Sequence, residues 1–423
     1  MNKAKKITLA VLLPLLALTA WLFSTDFSLA GSEYWRSFSL LFAALGFTFI
    51  FMQFLLSSRV KGIERGIGLD SMMRLHRYSG RAGLILIFLH LLTIAAYRFA
   101  VFGELFPNIF IWAGLTALLG FSLTGGLAST YSKLGLHYEI FRNVHLINYL
   151  LFPLALVHVF FHTGPGSILS YLWVLIAGLF LALISYRVVK IIDMRKHPYE
   201  VVSVKQEAVD AWSLFFKGRP VDYLPGQFMF LQLLRDGKRS SPHPFTISSS
   251  PEAETLSVTP KELGDFTATI KNTRVGDKAF IDAPYGVFSF LNYPEEELVF
   301  LAGGIGITPF MSMLRYMRDR GINRKVTLIW GSRSDKHIYF RDELRDMEKE
   351  LAGFKMVLVM SGQPNWTGEK GYVDAGTIKK HVGSLESKQY FVCGPPAMSG
   401  KLLESLEKAG VPSSRIHSEI FAL

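Results

Sequence analysis

Cysteine is almost absent: Cys393 stands alone in 423 residues, which excludes an internal disulfide and any zinc or iron-sulfur site built on cysteine. Charge is also scarce, at 19% of residues against 50% hydrophobic. That balance excludes intrinsic disorder and an ordinary soluble protein of this length. The net charge of +11 suggests a nucleic-acid partner until it is divided along the chain. Residues 1–190 hold 15 Lys and Arg against 6 Asp and Glu, whereas 191–423 hold 30 against 28. The cationic excess belongs to the apolar part, so it points to a lipid bilayer and to no nucleic acid.

Apolar runs recur at about 8–23, 38–57, 82–97, 109–129, 143–162 and 168–186, each near the length a helix needs to cross a hydrocarbon core of roughly 30 Å. They predict a membrane α-helical bundle of six spans. The first run also reads as a secretory signal behind the basic MNKAKK stretch, but no Ala-x-Ala site closes it. Lys3, Lys5 and Lys6, then Arg59, Lys61, Arg65, Arg74 and Arg77, then Lys133 and Arg142, then Arg187 and Lys190 fall on alternate connections. By the positive-inside rule those connections and both termini are cytoplasmic.

Histidine is costly inside a bilayer, so each one there is a functional candidate. His76 and His90 lie 14 residues apart in the third span, and His145 and His158 lie 13 apart in the fifth. At 1.5 Å per residue, two spans running the same way hold two levels of facing imidazoles. Such a pair offers neutral nitrogen ligands to both axial sides of a haem iron, which assigns an inner haem to His76 and His145 and an outer haem to His90 and His158. Fourteen residues return to nearly the same helix face, but thirteen do not, so the fifth span must be irregular, and Pro153 permits a kink. Pairing through His162 instead of His158 spoils the match in depth. His137 falls in a loop and reads as a plain histidine. Phe152 reads first as a core aromatic and second as an intermediary between haem levels, while Arg81 and Arg98 are candidates for haem propionates, with an interfacial anchor the other reading of Arg98.

Past Lys190 the pattern changes to short alternating runs, such as 228–234 and 256–259, which predict antiparallel strands of a small β-barrel. From about 296 strand and helix alternate: strands at 298–302, 326–330, 355–360 and 390–393, helices at 308–320, 341–351, 375–381 and 396–409. That is an α/β nucleotide-binding pattern with a parallel sheet. Three domains are expected, 1–190, 191–293 and 294–423. Gly303, Gly304 and Gly306 follow the first of these strands and precede Thr308 and Pro309 at a helix start, where backbone amides approach a diphosphate. Cys393, Gly394 and Pro395 end a later strand at the sheet's ligand-binding edge.

Pro225-Gly226-Gln227-Phe228, His243-Pro244-Phe245-Thr246, Gly264-Asp265-Phe266-Thr267, the 303–309 loop and Cys393-Gly394-Pro395 come in the order found in ferredoxin-NADP reductase-like flavoproteins. Joined to a six-helix domain with histidine spacings of 14 and 13, the chain resembles the NADPH oxidase and ferric reductase superfamily over nearly its full length. The His-Pro-Phe-Thr form is similar to the NADPH oxidase branch. The resemblance implies FAD, NADPH and two b-type haems as cofactors. It places Phe245 against the isoalloxazine and Thr246 at its reactive edge, with His243, Pro244, Gly264, Phe266 and the amides around Thr267 completing the FAD site. It gives the nicotinamide nucleotide to Gly303, Gly304, Gly306, Thr308, Pro309, Gly394 and Pro395, and its 2′-phosphate to Arg333, whose guanidinium suits a bidentate contact. Cys393 is implied near the nicotinamide, the alternative being a small buried residue that closes its strand. Phe421 is implied on the flavin, although Ala422 and Leu423 follow it.

The implied activity is an NAD(P)H-dependent flavohaem oxidoreductase of a plasma membrane, moving electrons from cytosolic NADPH through FAD and the haems to an outer acceptor. Oxygen giving superoxide is the first expectation, a ferric or cupric chelate the second, and an extracytoplasmic partner protein the third. The short outer loops, with no Cys, His or acidic cluster to hold a metal chelate, favour a small diffusible acceptor.

Overall fold

Helices that are apolar on every face have no water-facing side, so they gather only where lipid covers what packing does not. The computed structural model describes residues 3–25, 33–103, 108–131, 133–136, 138–293 and 297–419, with residues 3–10 by backbone alone. The chain divides into two units, Met1–Ile191 and Ile192–Leu423.

The first unit holds helices α1 (Lys3–Ser24), α2 (Glu33–Ser57), α3 (Lys61–Ile67), α4 (Leu69–Phe102), α5 (Ile109–Thr130), α6 (Tyr138–His145) and α7 (Asn148–Thr163), and α8 (Ile168–Lys196) begins in it. Among the described residues, five stretches are long and apolar enough to cross a membrane: α2, α4, α5, Tyr138–Thr163 taken as one, and α8. A sixth span is not confirmed among the described residues. The described apolar part of α1, Val11–Ser24, is shorter, about 21 Å at the helical rise. Leu92, Leu119, Leu123 and Leu150 point outward, as expected of side chains facing lipid. Inside, Phe152 is fully buried among Phe47, Phe51, Phe54 and Phe180, at ring separations of 4.6 to 6.1 Å. It is a core aromatic of the α2, α7 and α8 interface.

The irregularity expected in the fifth span is present but lies elsewhere. The helix breaks at 146–147, directly after His145, and Ile147 and Tyr149 donate to carbonyls three residues back instead of four. Pro153 sits inside α7, where its missing donor removes one bond, to the carbonyl of Tyr149, and the helix persists.

The second unit begins with β1 (Tyr199–Ala208), β2 (Ala211–Lys217), β3 (Phe228–Arg235), β4 (Lys238–Arg239), β5 (His243–Thr246), β6 (Leu256–Val258), the short helix α9 (Asp265–Ala268) and β7 (Lys278–Tyr285). They form an antiparallel sheet in the order β4-β3-β7-β1-β2-β6, with β5 also on β3. Among the described strand pairings no full ladder closes this sheet into the expected barrel. Its two ends meet through the isolated bridge Ile247 to Val258 and the bond from the Ser248 amide to the Ser257 carbonyl, β5 and β6 being too short for a full ladder.

Next come β8 (Glu297–Gly303), α10 (Thr308–Asp319), β9 (Lys325–Ser332), α11 (Arg341–Glu350), β10 (Phe354–Met360), β11 (Glu369–Lys370), α12 (Ala375–Val382), β12 (Gln389–Cys393), α13 (Pro396–Lys408) and β13 (Ile416–Glu419). The sheet is parallel in the order β11-β10-β9-β8-β12-β13. Strand order reverses at β8, whose neighbours are β9 and β12, and this switch point puts a ligand crevice beyond the carboxyl ends of β8 and β12. Phe288, from the segment after β7, packs on Phe310 of α10 and Phe391 of β12, so the two lobes of this unit share one core.

Candidate functional site

In the first unit, His76 and His90 both project from α4, while His145 ends α6 and His158 lies on α7. The ring centres of His76 and His145 are 6.2 Å apart, and those of His90 and His158 are 6.3 Å apart. A metal bonded to two opposed imidazoles at about 2 Å, with each ring centre about 1 Å behind its nitrogen, sets the centres roughly 6 Å apart. Both gaps fit. Among the described residues no cluster of three or more His, Cys, Asp or Glu could hold a bare metal ion. Two nitrogens on opposite sides suit an iron whose remaining positions a porphyrin fills.

The outer pair is oriented by its surroundings. His90 Nδ1 lies 2.8 Å from Ser39 Oγ and 3.0 Å from the Ser39 carbonyl, and His158 Nδ1 lies 2.8 Å from the Phe110 carbonyl. With Nδ1 so engaged, Nε2 is left for a ligand, the usual arrangement of a metal-binding histidine. Gly114 makes room for this: a Cβ there would stand 2.7 Å from His158 Nδ1. The inner rings differ. His76 Nδ1 and His145 Nδ1 are buried without a hydrogen-bond partner, and the carbonyls of Gln53 and Thr124 stand beside the rings without completing a normal bond. Ser39 and Gly114 were not singled out from the sequence, since a lone serine or glycine in an apolar run has no visible partner there.

Of the other intramembrane candidates, His162 lies 4.8 Å from His158 with the rings tilted by 55°, and Arg98 is near enough to His162 to act on it electrostatically. Arg98 Nε is buried without a hydrogen-bond partner. Arg81 is exposed, and His137 lies outside the described residues.

In the second unit the flavin candidates gather on β5 and α9. His243, Pro244, Phe245 and Thr246 are β5 itself. The His243 ring stacks on Phe266 at 4.0 Å, and Phe245 lies 6.1 Å from the same ring. Thr246 is 4% exposed and its hydroxyl is buried without a partner, so it is a polar atom suited to a ligand edge. Thr267 is already committed: its hydroxyl accepts from the amides of Leu263 and Gly264. Arg235, which sequence reasoning passed over, holds this loop through Thr269 and lies 5.8 Å from the Phe266 ring. Phe421 lies outside the described residues.

The nucleotide candidates meet at the switch point. Gly304 and Gly306 form a tight turn between β8 and α10, and Thr308 and Pro309 open α10. The hydroxyl of Thr308 donates to the Ile305 carbonyl, 3.1 Å away. Gly394 and Pro395 lie against Gly303. Arg333 follows β9 and is exposed beside Gly362. Cys393 is fully buried, and burial, then the nearby Glu419 carboxylate, pushes its thiol well above the ordinary value. It is therefore a neutral thiol rather than a nucleophile.

Three families match in succession: "Ferric reductase like transmembrane component" over residues 42–157, "FAD-binding domain" over 189–289 and "Oxidoreductase NAD-binding domain" over 300–402. Among curated relatives, the chain is 31% identical over 238 residues to the glycine betaine monooxygenase reductase subunit of Chromohalobacter salexigens, covering 53% of this chain and 64% of that protein. It is 28% identical over 242 residues to the propane 2-monooxygenase reductase component of Rhodococcus jostii, covering 56% and 62%. The chain thus spans less than two thirds of the length of either. Flavohemoglobin from Malassezia yamatoensis superposes with a TM-score of 0.51 at 18% identity, covering 100% of this chain and 99% of that one, a likeness of fold alone. A ferric-reductase-like transmembrane component, an FAD-binding domain and an NAD-binding domain in this order make the chain a membrane oxidoreductase with the architecture of the NADPH oxidase and ferric reductase superfamily.

Proposed function

We propose that the chain moves electrons from cytosolic NADPH, through FAD and two b-type haems, to an acceptor on the outer face of a plasma membrane. The observation that carries this reading is the pair of matched histidine gaps, 6.2 and 6.3 Å, at two levels of one helix. The haem domain is assigned to 1–190, the flavin domain to 191–293 and the nucleotide domain to 294–423. The flavin supplies the change from two-electron to one-electron chemistry that haem iron requires. Around it, Phe245 offers an apolar face and Thr246 an unspent hydroxyl, while the 303–309 turn brings amides to the nucleotide diphosphate.

Oxygen, reduced to superoxide, is the acceptor proposed first. His162 stands beside His158 of the outer pair with Arg98 near it, and the Arg98 cation favours an anionic product. Replacing either with a neutral residue is expected to slow superoxide formation under steady NADPH while haem content and flavin reduction stay unchanged. Unaltered rates in both variants would remove them from the site. The description of the matched transmembrane family supports ferric reduction as the second reading, and the monooxygenase reductases among the relatives support donation to a partner protein as the third. Oxidation of NADPH by the purified protein, with and without oxygen and against added ferric chelate, decides: no superoxide with brisk chelate reduction moves the function to the second reading.

For the nucleotide, Arg333→Ala is expected to weaken NADPH binding by about tenfold or more and leave NADH nearly unchanged, since a charge-assisted hydrogen bond contributes about 1.5–3 kcal/mol. Titration of both nucleotides checks this. An equal loss for both would show that Arg333 serves the diphosphate or the fold.

A further inference from the structure

The segment that follows Thr246 is gripped from the opposite lobe. Arg315, on α10, donates from Nη1 to the carbonyl of Ser248 at 2.6 Å. Its Nε and Nη2 donate to Glu343 Oε1 and Oε2 on α11, at 2.7 and 2.6 Å. One helical turn earlier on α10, Ser312 donates to the carbonyl of Ser249 at 2.7 Å. Within its own lobe the same segment is fixed by Ser257 and Thr259, which bond the Ser248 hydroxyl, and by Tyr223, which donates to the Ser249 carbonyl. Residues 248–250 are buried. The Arg315 side chain is 13% exposed.

Two further features show how firmly this grip is held. Burial opposes the ionised form of Glu343, but the bonds and charge of Arg315, with Arg318 and Lys205 nearby, outweigh it and hold the carboxyl below its usual range. The Arg315 guanidinium also lies 5.1 Å from the ring of Phe340. Phe340 is buried and has φ of +54°, a conformation uncommon for a bulky residue and sustained only where the surroundings over-determine it.

The grip sits between the two halves of the proposed hydride step. Thr246, two residues before Ser248, is the candidate at the flavin edge, and α10 begins at the turn proposed for the nucleotide diphosphate, about 10 Å along the helix from Arg315. We infer that Arg315, braced by Glu343, is a positioning residue for hydride transfer: it sets the nicotinamide lobe against the flavin-bearing strand without touching either cofactor. The inference rests on the proposed NADPH-to-FAD step, in which two electrons and one proton pass together from nicotinamide to flavin, oxidising the one and reducing the other. Misplacement by about 1 Å costs such a step on the order of 100-fold.

The test is anaerobic rapid mixing of the purified full-length protein with NADPH, following loss of flavin absorbance, for the unmodified chain, Arg315→Ala, Arg315→Lys, Glu343→Gln and the double variant Arg315→Ala, Glu343→Gln. The limiting rate is expected to fall by about tenfold or more in Arg315→Ala, while FAD content and the half-saturating NADPH concentration change by less than about twofold. Arg315→Lys should restore part of the rate, and the double variant should be no slower than Arg315→Ala, because the two residues act as one unit. A limiting rate within about twofold of the unmodified protein in flavin-replete Arg315→Ala overturns the inference. So does a slower rate matched by an equal loss of nucleotide affinity. If Arg315→Ala fails to fold or retain FAD, Glu343→Gln decides by the same criteria. Failure of NADPH to bleach the flavin of the unmodified protein would instead overturn the functional reading, and the positioning role with it.

Discussion

A His76→Ala or His145→Ala protein is expected to purify with one haem per flavin instead of two, and so is a His90→Ala or His158→Ala protein, the first two lacking the inner haem and the second two the outer. Each gap is lined by one ring from α4 and one from the α6 and α7 segment, so either truncation would leave the proposed haem one histidine instead of two. The two levels lie 14 residues apart on α4, about 21 Å along its axis. Loss at one level should therefore leave the other intact, and haem absorbance against flavin absorbance measures both. Ser39→Ala is the finer test. It removes the hydroxyl 2.8 Å from His90 Nδ1 and leaves the ligand itself and the Ser39 carbonyl 3.0 Å from the same nitrogen, so retention of the outer haem alone should weaken, by about tenfold or less, the low end for loss of such a partner. A His158 variant that kept both haems while a His162 variant lost one would reverse the outer assignment, against the 6.3 Å gap that faces His158 to His90.

The levels of this site were legible in the sequence because helical rise is a fixed length, and two spacings of nearly equal size on two apolar runs define two depths without any knowledge of packing. The phase of the second helix was not. Thirteen residues demanded an irregularity, and proline was the visible candidate, but the chain makes its adjustment at 146–147, where no residue type marks it. The parallel lobe was read closely because its strands are buried on both faces and appear as continuous apolar runs, as 298–303 do. Strand β13 escaped notice: Ile416-His417-Ser418-Glu419 has one apolar residue in four and becomes a strand only by pairing with β12. Closure of the antiparallel sheet was not legible, since alternation identifies strands but not whether the first and last of them meet. The ring stack of His243 on Phe266 and the Arg315 grip join residues far apart in the chain, and local pattern carries no trace of such pairings.

Gly306→Ala is expected to weaken NADPH and NADH binding alike, by about tenfold or more, because the alanine has nowhere to stand. Its Cβ would lie 2.2 Å from the carbonyl oxygen of Cys393, 2.6 Å from the carbonyl carbon and 2.9 Å from Gly394 Cα. All three are backbone atoms. They cannot swing aside as a side-chain tip would, for Cys393 is held in register against Ala302 on one side and Glu419 on the other. The turn must therefore lift away from β12, which carries its amides off the diphosphate path and opens the close packing beneath α10. Overpacking of this kind costs about 1–3 kcal/mol, and each 1.4 kcal/mol that reaches the binding step is about tenfold in affinity. Gly400→Ala provides the control in the same lobe. Gly400 is exposed within α13, and an added Cβ meets nothing within 4 Å, so alanine should raise stability by about 0.8–1 kcal/mol through helix propensity and leave binding unchanged. Nucleotide titration and thermal unfolding of the two variants separate the effects. Equal affinities in Gly306→Ala and the unmodified protein would show that the 303–309 turn does not bear the diphosphate, whereas loss of NADPH affinity alone would move the contact to the 2′-phosphate and to Arg333.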